Sequence, residues 1–157
     1  MKDELKNEII EDLDRAKNTF ASAKRNFDEE DIFTASNRLF VACENAVYAC
    51  MKLKFGGTTI SRKRILMKIG SISPDMMELY ERSYDLRVQA DYGRKSRIVE
   101  LNKERVGEMI RKVERLIADI EKELKNLELS KFFAKHSSSA RVPQPPARPN
   151  DPSQGRA

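Results

Sequence analysis

The sequence predicts an all-α fold: an antiparallel up-and-down bundle of four long helices plus one short helix. Three observations predict it. Of 157 residues, 39% are apolar and 35% charged but only 6 are glycine, a balance unsuited to a β-sandwich or barrel, which needs turn-formers every ~8–12 residues. Apolar residues recur at steps of three and four over long stretches, which is the helical period. Between those stretches stand compact breakers: an acidic cluster, a Gly-Gly pair, a Ser-Pro step and a lone glycine.

The first helix spans about Lys2 to Phe27, where Leu5, Ile9, Leu13, Ala16, Phe20, Ala23 and Phe27 make one stripe. Asp28-Glu29-Glu30-Asp31 interrupts it and supplies an N-cap for the next helix, because carboxylates suit the positive end of the helix dipole. The second helix, about Ile32 to Phe55, is apolar on several faces, which predicts a central or interfacial position and argues for a homodimer. Gly56-Gly57 ends it. A short basic helix over 61–70 follows, with Ser61 placed to cap and Gly70 to stop it. Ser73-Pro74-Asp75 is a strong helix start, so the fourth helix runs from there to about Tyr92 and ends at Gly93. The last helix covers about Lys103 to Leu127, capped by Asn102, with Leu101 set to pack on Val106.

Residues 131–157 hold five basic residues against Asp151 alone, a balance of +4 out of a net +5, which leaves 1–130 nearly neutral. Pro143, Pro145, Pro146, Pro149 and Pro152 also fall there. Two units are therefore expected: a helical bundle over 1–130 and a basic Pro/Ser-rich tail over 131–157. The tail is expected to be disordered from about 135, with polyproline II around Pro143–Pro149. It reads either as a proline-rich ligand or basic arm, or as a dispensable extension.

Composition removes much chemistry. Cys43 and Cys50 lie about 10.5 Å apart along one helix, too far for a disulfide, and read as buried apolar residues. With His136 as the single histidine, near the chain's end, no zinc-ligand set and no serine–histidine machinery can be built. No metal or cofactor is expected. Uncharged runs are far shorter than the ~18 residues of a membrane span, and the charged start, MKDELKNEII, gives no secretory signal. A soluble, cytoplasmic protein without membrane contact is expected.

The fourth helix carries the candidate site. Met76, Leu79, Ser83, Leu86 and Ala90 form its packing seam, and beside them Tyr80, Tyr84, Arg87 and Asp91 form a polar-aromatic stripe. Arg87 and Asp91 stand four apart, either as a structural ion pair or as a phosphate site in which Arg87 offers its planar fork. Arg62, Lys63 and Arg64 on one side, and Arg94, Lys95 and Arg97 on the other, are basic clusters of the kind that contact a nucleic-acid backbone or are merely solvated. In the second helix Asn37, Glu44 and Asn45 interrupt apolar surroundings. A buried carboxylate needs a partner, so Glu44 is expected on Arg87 or Arg38 unless it points outward.

The order SNRLFVACENAVYACMKLKFG, then Ser61-Arg62-Lys63, then YERSYDLRVQADYG before a final amphipathic helix resembles the HEPN domain. The likeness covers roughly residues 5–127, and its most specific piece is Leu86-Arg87 with Ala90-Asp91-Tyr92-Gly93. The resemblance implies a homodimer with a cleft between protomers. It also implies membership of a toxin–antitoxin or defence-type pair with a nucleotidyltransferase-like antitoxin, and RNA or nucleotide as ligand. Active members carry Arg, a polar residue, three variable positions and His. Arg87 matches the arginine, but Val88 replaces the polar residue and Tyr92 stands at the histidine position. Metal-independent RNA cleavage needs a group titrating near neutrality, and a phenol with a pKa near ~10 is a poor base there. Phosphate binding survives that substitution more easily than catalysis. The residues implied are therefore Arg87 as anchor, Asp91 and Tyr92 orienting it, Tyr84 or Tyr80 as a stacking surface, and Arg62, Lys63, Arg64, Arg94, Lys95 and Arg97 as a rim. An active endoribonuclease using Arg87, Asp91 and Tyr92, or a structural helical adaptor, are the alternatives.

Overall fold

The computed structural model describes residues 1–137 as five helices: α1 (Asp3–Asp28), α2 (Ile32–Phe55), α3 (Arg62–Ile72), α4 (Pro74–Tyr92) and α5 (Lys103–Ser137), with no strand among the described residues. The starts follow capping chemistry. The Asp31 carboxylate accepts from the Thr34 N–H at 3.0 Å, Ser73 Oγ from Met76 N–H at 3.2 Å, and Asn102 Oδ1 from Arg105 N–H at 2.9 Å. Each satisfies one donor that a helix N-terminus leaves open. Gly56 and Gly93 end α2 and α4 at φ +73° and +60°, the left-handed region where a side chain is costly.

Two boundaries and one cap depart from the sequence reading. Gly70 does not stop α3, which runs on to Ile72. The breaker is Pro74, whose ring forces Ser73 into extended backbone (φ −156°, ψ 118°). Gly70 serves packing instead, since a Cβ there would lie 2.9 Å from Met77 Sδ on α4. Ser61 occupies the N-cap position of α3, yet its side chain makes no capping bond. Finally, α5 continues ten residues past Leu127, so 131–137 are helical rather than the beginning of a tail. The polyproline expectation lies outside the described residues.

Residues Met1–Lys125 form one compact unit, and a second begins at Asn126. In the first, paired contacts give the helix directions. Lys52 on α2 meets Asp12 and Glu8 on α1, while Asn37 on α2 meets Asp91 on α4. On α5, Lys103 meets Glu30, just past the end of α1, and Glu121 meets Lys17 further back along that helix. Sequential long helices are therefore antiparallel, and the bundle is up-and-down. The core runs from Ile9 and Leu13 through Leu39, Phe40, Val47 and Met51 to Leu86, Val106 and Val113. In the second unit, His136 stacks on Phe132 with ring centroids 4.1 Å apart.

Burial of α2 corrects one expectation. Its apolar faces, including Leu39, Phe40, Cys43, Val47, Cys50 and Met51, are covered within a single copy, so they do not by themselves require a partner. Both cysteines are free thiols, and burial pushes Cys43 up to about 12 and Cys50 up to about 11.

Candidate functional site

Where α2, α3 and the C-terminal half of α4 converge, polar and aromatic side chains form one connected row. Asp91, in the last turn of α4, accepts from Asn37 Nδ2 through both carboxylate oxygens, at 3.1 and 2.9 Å. One turn earlier, Arg87 Nε donates to the same carboxylate at 3.3 Å. Among the described residues the terminal nitrogens of Arg87 have no hydrogen-bond partner. Its guanidinium carbon lies 5.1 Å from the centroid of Phe40, and its side chain is 33% exposed. Asp91 and Phe40 thus hold Arg87 from two sides and leave its outer edge open.

The row continues through the rings. Phe40 and Tyr84 meet edge-to-face at 5.4 Å, and the Arg62 guanidinium carbon sits 3.3 Å over the Tyr84 ring. Arg62 Nε is buried without a partner. Arg62 was expected at an outer rim; instead it covers the aromatic surface. A base approaching Tyr84 on that side meets the guanidinium plane, itself a surface on which bases stack. Tyr80 is only 1% exposed, so it is a core residue and offers no face to a ligand, contrary to its expected stacking role.

Glu44 also departs from expectation. Among the described residues no ion pair joins it to Arg87 or Arg38. Its hydrogen-bond partner is a phenol: Tyr80 Oη donates to Glu44 Oε1 at 3.4 Å, and the Tyr48 phenol lies close enough to feel the Glu44 charge. Burial first, and the Glu44 charge second, push Tyr48 up to about 12 and Tyr80 up as well. These hydroxyls therefore keep their protons near neutrality.

Beyond Gly93 the chain turns through the second basic cluster. Tyr92 is 67% exposed, and the Arg94 guanidinium lies 5.7 Å from its ring centroid. Arg94, Lys95 and Arg97 are exposed, as are Lys63 and Arg64 at the start of α3. The loop is fixed by two α4 residues that sequence reasoning missed. Asp85 Oδ2 accepts from the backbone N–H groups of Arg97, Ile98 and Val99 at 3.3, 3.1 and 3.1 Å. Gln89 donates to Asp85 and to the Val99 carbonyl, at 3.1 and 2.7 Å, and accepts from Leu101 N–H at 3.0 Å. The available signal was a carboxylate and an amide four apart on the seam side of a helix.

The expected residues thus divide. Arg87, Asp91, Tyr84 and Arg62 are brought together, while Tyr92, Arg94, Lys95, Arg97, Lys63 and Arg64 stand in solvent around the convergence. What this arrangement can do is hold an anion: it offers open guanidinium donors and aromatic support. Among the described residues no cluster of His, Cys, Asp or Glu is arranged to hold a metal ion. A groove of about 570 Å³ elsewhere, between α4 and α5, has an apolar floor of Leu79, Met109 and Leu116 and does not reach Arg87. No helix among the described residues is long and apolar enough to cross a membrane.

Compared with known proteins, the chain is similar to a UPF0332 protein of Thermotoga maritima, with 29% identity over 119 residues, covering 72% of this chain and 88% of that protein. No protein-family model matches the chain. The likeness supports a distant relationship to a small prokaryotic protein family and does not single out the HEPN domain.

Proposed function

We propose that the chain binds a phosphate group of RNA or of a nucleotide, with Arg87 as the anchor. It would do so as a HEPN-like homodimer whose inter-protomer cleft contains that residue, within a toxin–antitoxin or defence-type pair with a nucleotidyltransferase-like protein. One observation carries the proposal. Arg87 is aimed by a carboxylate at Nε and by an aromatic ring at its flank, yet its two terminal nitrogens are open. Those two nitrogens are the fork that meets phosphate oxygens in a bidentate contact. Arg62, lying over Tyr84, adds a second guanidinium, joined to the first through Phe40. Asp91 is held by Asn37 as well as by Arg87, so its negative charge is shared, not aimed at the guanidinium alone.

Chemistry beyond binding is disfavoured by the groups present. Asp91 is engaged by the Asn37 amide and by Arg87, and Tyr92 is a phenol in solvent. The test is a titration with inorganic phosphate followed by two-dimensional NMR. Shifts are expected for the Arg87 and Arg62 side chains, together with protection of the wild type but not of Arg87→Ala against thermal unfolding. Cleavage of single-stranded RNA in EDTA by the wild type, lost in Arg87→Ala, would instead establish the endoribonuclease alternative.

The Asn37–Asp91–Arg87 triangle also joins α2 to α4, which favours a second reading, a structural adaptor in which these groups are a helix clamp. That reading requires phosphate to leave Arg87 unshifted while Asp91→Ala loosens α2 from α4.

A further inference from the structure

Resting on the phosphate-binding proposal, we infer that Asp85, seconded by Gln89, is a positioning residue for that site. It holds the 97–101 stretch of the loop after Gly93, so that Arg97 stands as a fixed partner, with Arg94 just before it, for the next part of a phosphodiester strand. A loop of exposed arginines has every electrostatic reason to spread into solvent, since like charges repel and ordering backbone costs conformational entropy. Here one buried carboxylate oxygen collects three successive backbone N–H groups, and the amide of Gln89 holds the residues that follow, at the Val99 carbonyl and the Leu101 N–H. A carboxylate accepting several backbone N–H groups is a strong, charge-assisted arrangement. It lies 6% exposed, one turn before Gln89 and two residues from Arg87 along α4. The same helix therefore aims the anchor on one face and pins the arginine loop from another, so the two are held in fixed register. A single inorganic phosphate needs only the anchor, whereas a strand draws on both.

The experiment compares two probes, inorganic phosphate and a fluorescein-labelled single-stranded oligoribonucleotide, on the full chain and on Asp85→Asn. That variant retains shape and an acceptor but loses the charge. The expected result is strand affinity weakened roughly tenfold, the scale of one lost charge-assisted hydrogen bond. The slope of log affinity against log salt should also shallow by about 0.7 for each phosphate that the loop no longer neutralises. Phosphate shifts at Arg87 should stay unchanged, and the amides of Arg97, Ile98 and Val99 should exchange faster with solvent. Adding Asp85→Asn to an Arg94→Ala/Arg97→Ala variant should weaken the strand no further. If Asp85→Asn fails to fold, Gln89→Leu, which cuts the other half of the clamp, is measured by the same criteria. Unchanged strand affinity and slope with the amides freed, or equal losses for both probes, would overturn the positioning role while leaving the anchor intact. A wild type whose Arg87 ignores phosphate would overturn the anchor, and the positioning role with it.

Discussion

Replacing Arg87 separates a binding arginine from a structural one, because the two readings predict opposite ratios of affinity loss to stability loss. The structure sets the stability side. Arg87 makes one partly exposed ion pair with Asp91, of a kind contributing about 0–1 kcal/mol, and lies over Phe40 at 5.1 Å, a cation–π contact of about 0.5–1 kcal/mol. Its removal leaves Asp91 bonded to Asn37, so no unpaired buried charge follows. Arg87→Ala should therefore cost about 1–2 kcal/mol, a shift of a few degrees in Tm. On the binding side, two charge-assisted hydrogen bonds disappear at about 1.5–3 kcal/mol each. Losing even one reduces affinity about ten- to a hundredfold. Arg87→Lys should fall between, since an ammonium cannot satisfy Asp91 and present a fork at once. Denaturant melts and fluorescence anisotropy with labelled oligoribonucleotide measure both quantities on the same samples. A stability loss of several kcal/mol with affinity unchanged, or a lysine variant equal to wild type, would refute the reasoning.

Other expectations concern the scaffold. Ser73→Ala removes the cap at the α3–α4 junction and should cost about 1 kcal/mol in chemical denaturation, with Ser73→Gly milder. Native protein should resist thiol-specific reagents at neutral pH, because burial holds Cys43 and Cys50 at about 12 and about 11, and both thiols should label once the chain unfolds. Acid should destabilise the fold: hydrogen bonds from Lys103, Thr34, Lys112 and Lys17 lower the pKa of Glu30, Asp31, Glu108 and Glu121 respectively. Their contribution is full above the unfolded carboxylate range of about 4 and is lost as pH falls through the lower folded values. At Lys52 burial pulls downward, but the bonds to Asp12 and Glu8 outweigh it. At Lys54 the Glu123 bond leads, so both amines are raised. Their contribution is present below the unfolded value of about 10.4 and vanishes as pH rises through the folded ones. A Tm profile against pH should therefore fall at both ends, and a profile flat through the acid range would contradict these pairings.

The fold was legible because helical periodicity and capping are local. Leu5 to Phe27, Ala35 to Leu53 and Val106 to Leu124 each declare a buried face within one element, and Asp31, Ser73 and Asn102 declare its start. One boundary and one cap misled for a physical reason. A glycine before a helix end reads as a terminator, yet at Gly70 the helix runs on against α4, where a Cβ would press on the movable Met77 side chain, a tertiary fact invisible to spacing. Ser61 has the right residue type for a cap, but residue type does not fix where a hydroxyl points. Glu44 is the same case among partners. A carboxylate in an apolar helix requires a donor, and pattern alone preferred arginine, whereas the donor that the packing brings up is the hydroxyl of Tyr80.

The site shows where such local reasoning runs out and why that place invites a functional reading. Local rules and packing normally agree, and disagreement concentrates where a protein does something besides fold. Arg62 and Arg82 both carry a buried Nε without a hydrogen-bond partner, so an orphan nitrogen alone singles out neither. Arg82 has its terminal nitrogen on Glu78 at 2.6 Å, an ordinary helical pair. Arg62 forms no ion pair with a carboxylate among the described residues and lies over the Tyr84 ring, while Arg87 holds a carboxylate at Nε alone. Two guanidinium groups with unspent donors thus share one end of the bundle, joined through Phe40 and Tyr84. Stability alone would be served by pairing them, as Arg82 is paired. Such open guanidinium donors suit a planar bidentate acceptor, a carboxylate or a phosphate, and it is on that feature that the proposal of phosphate binding rests.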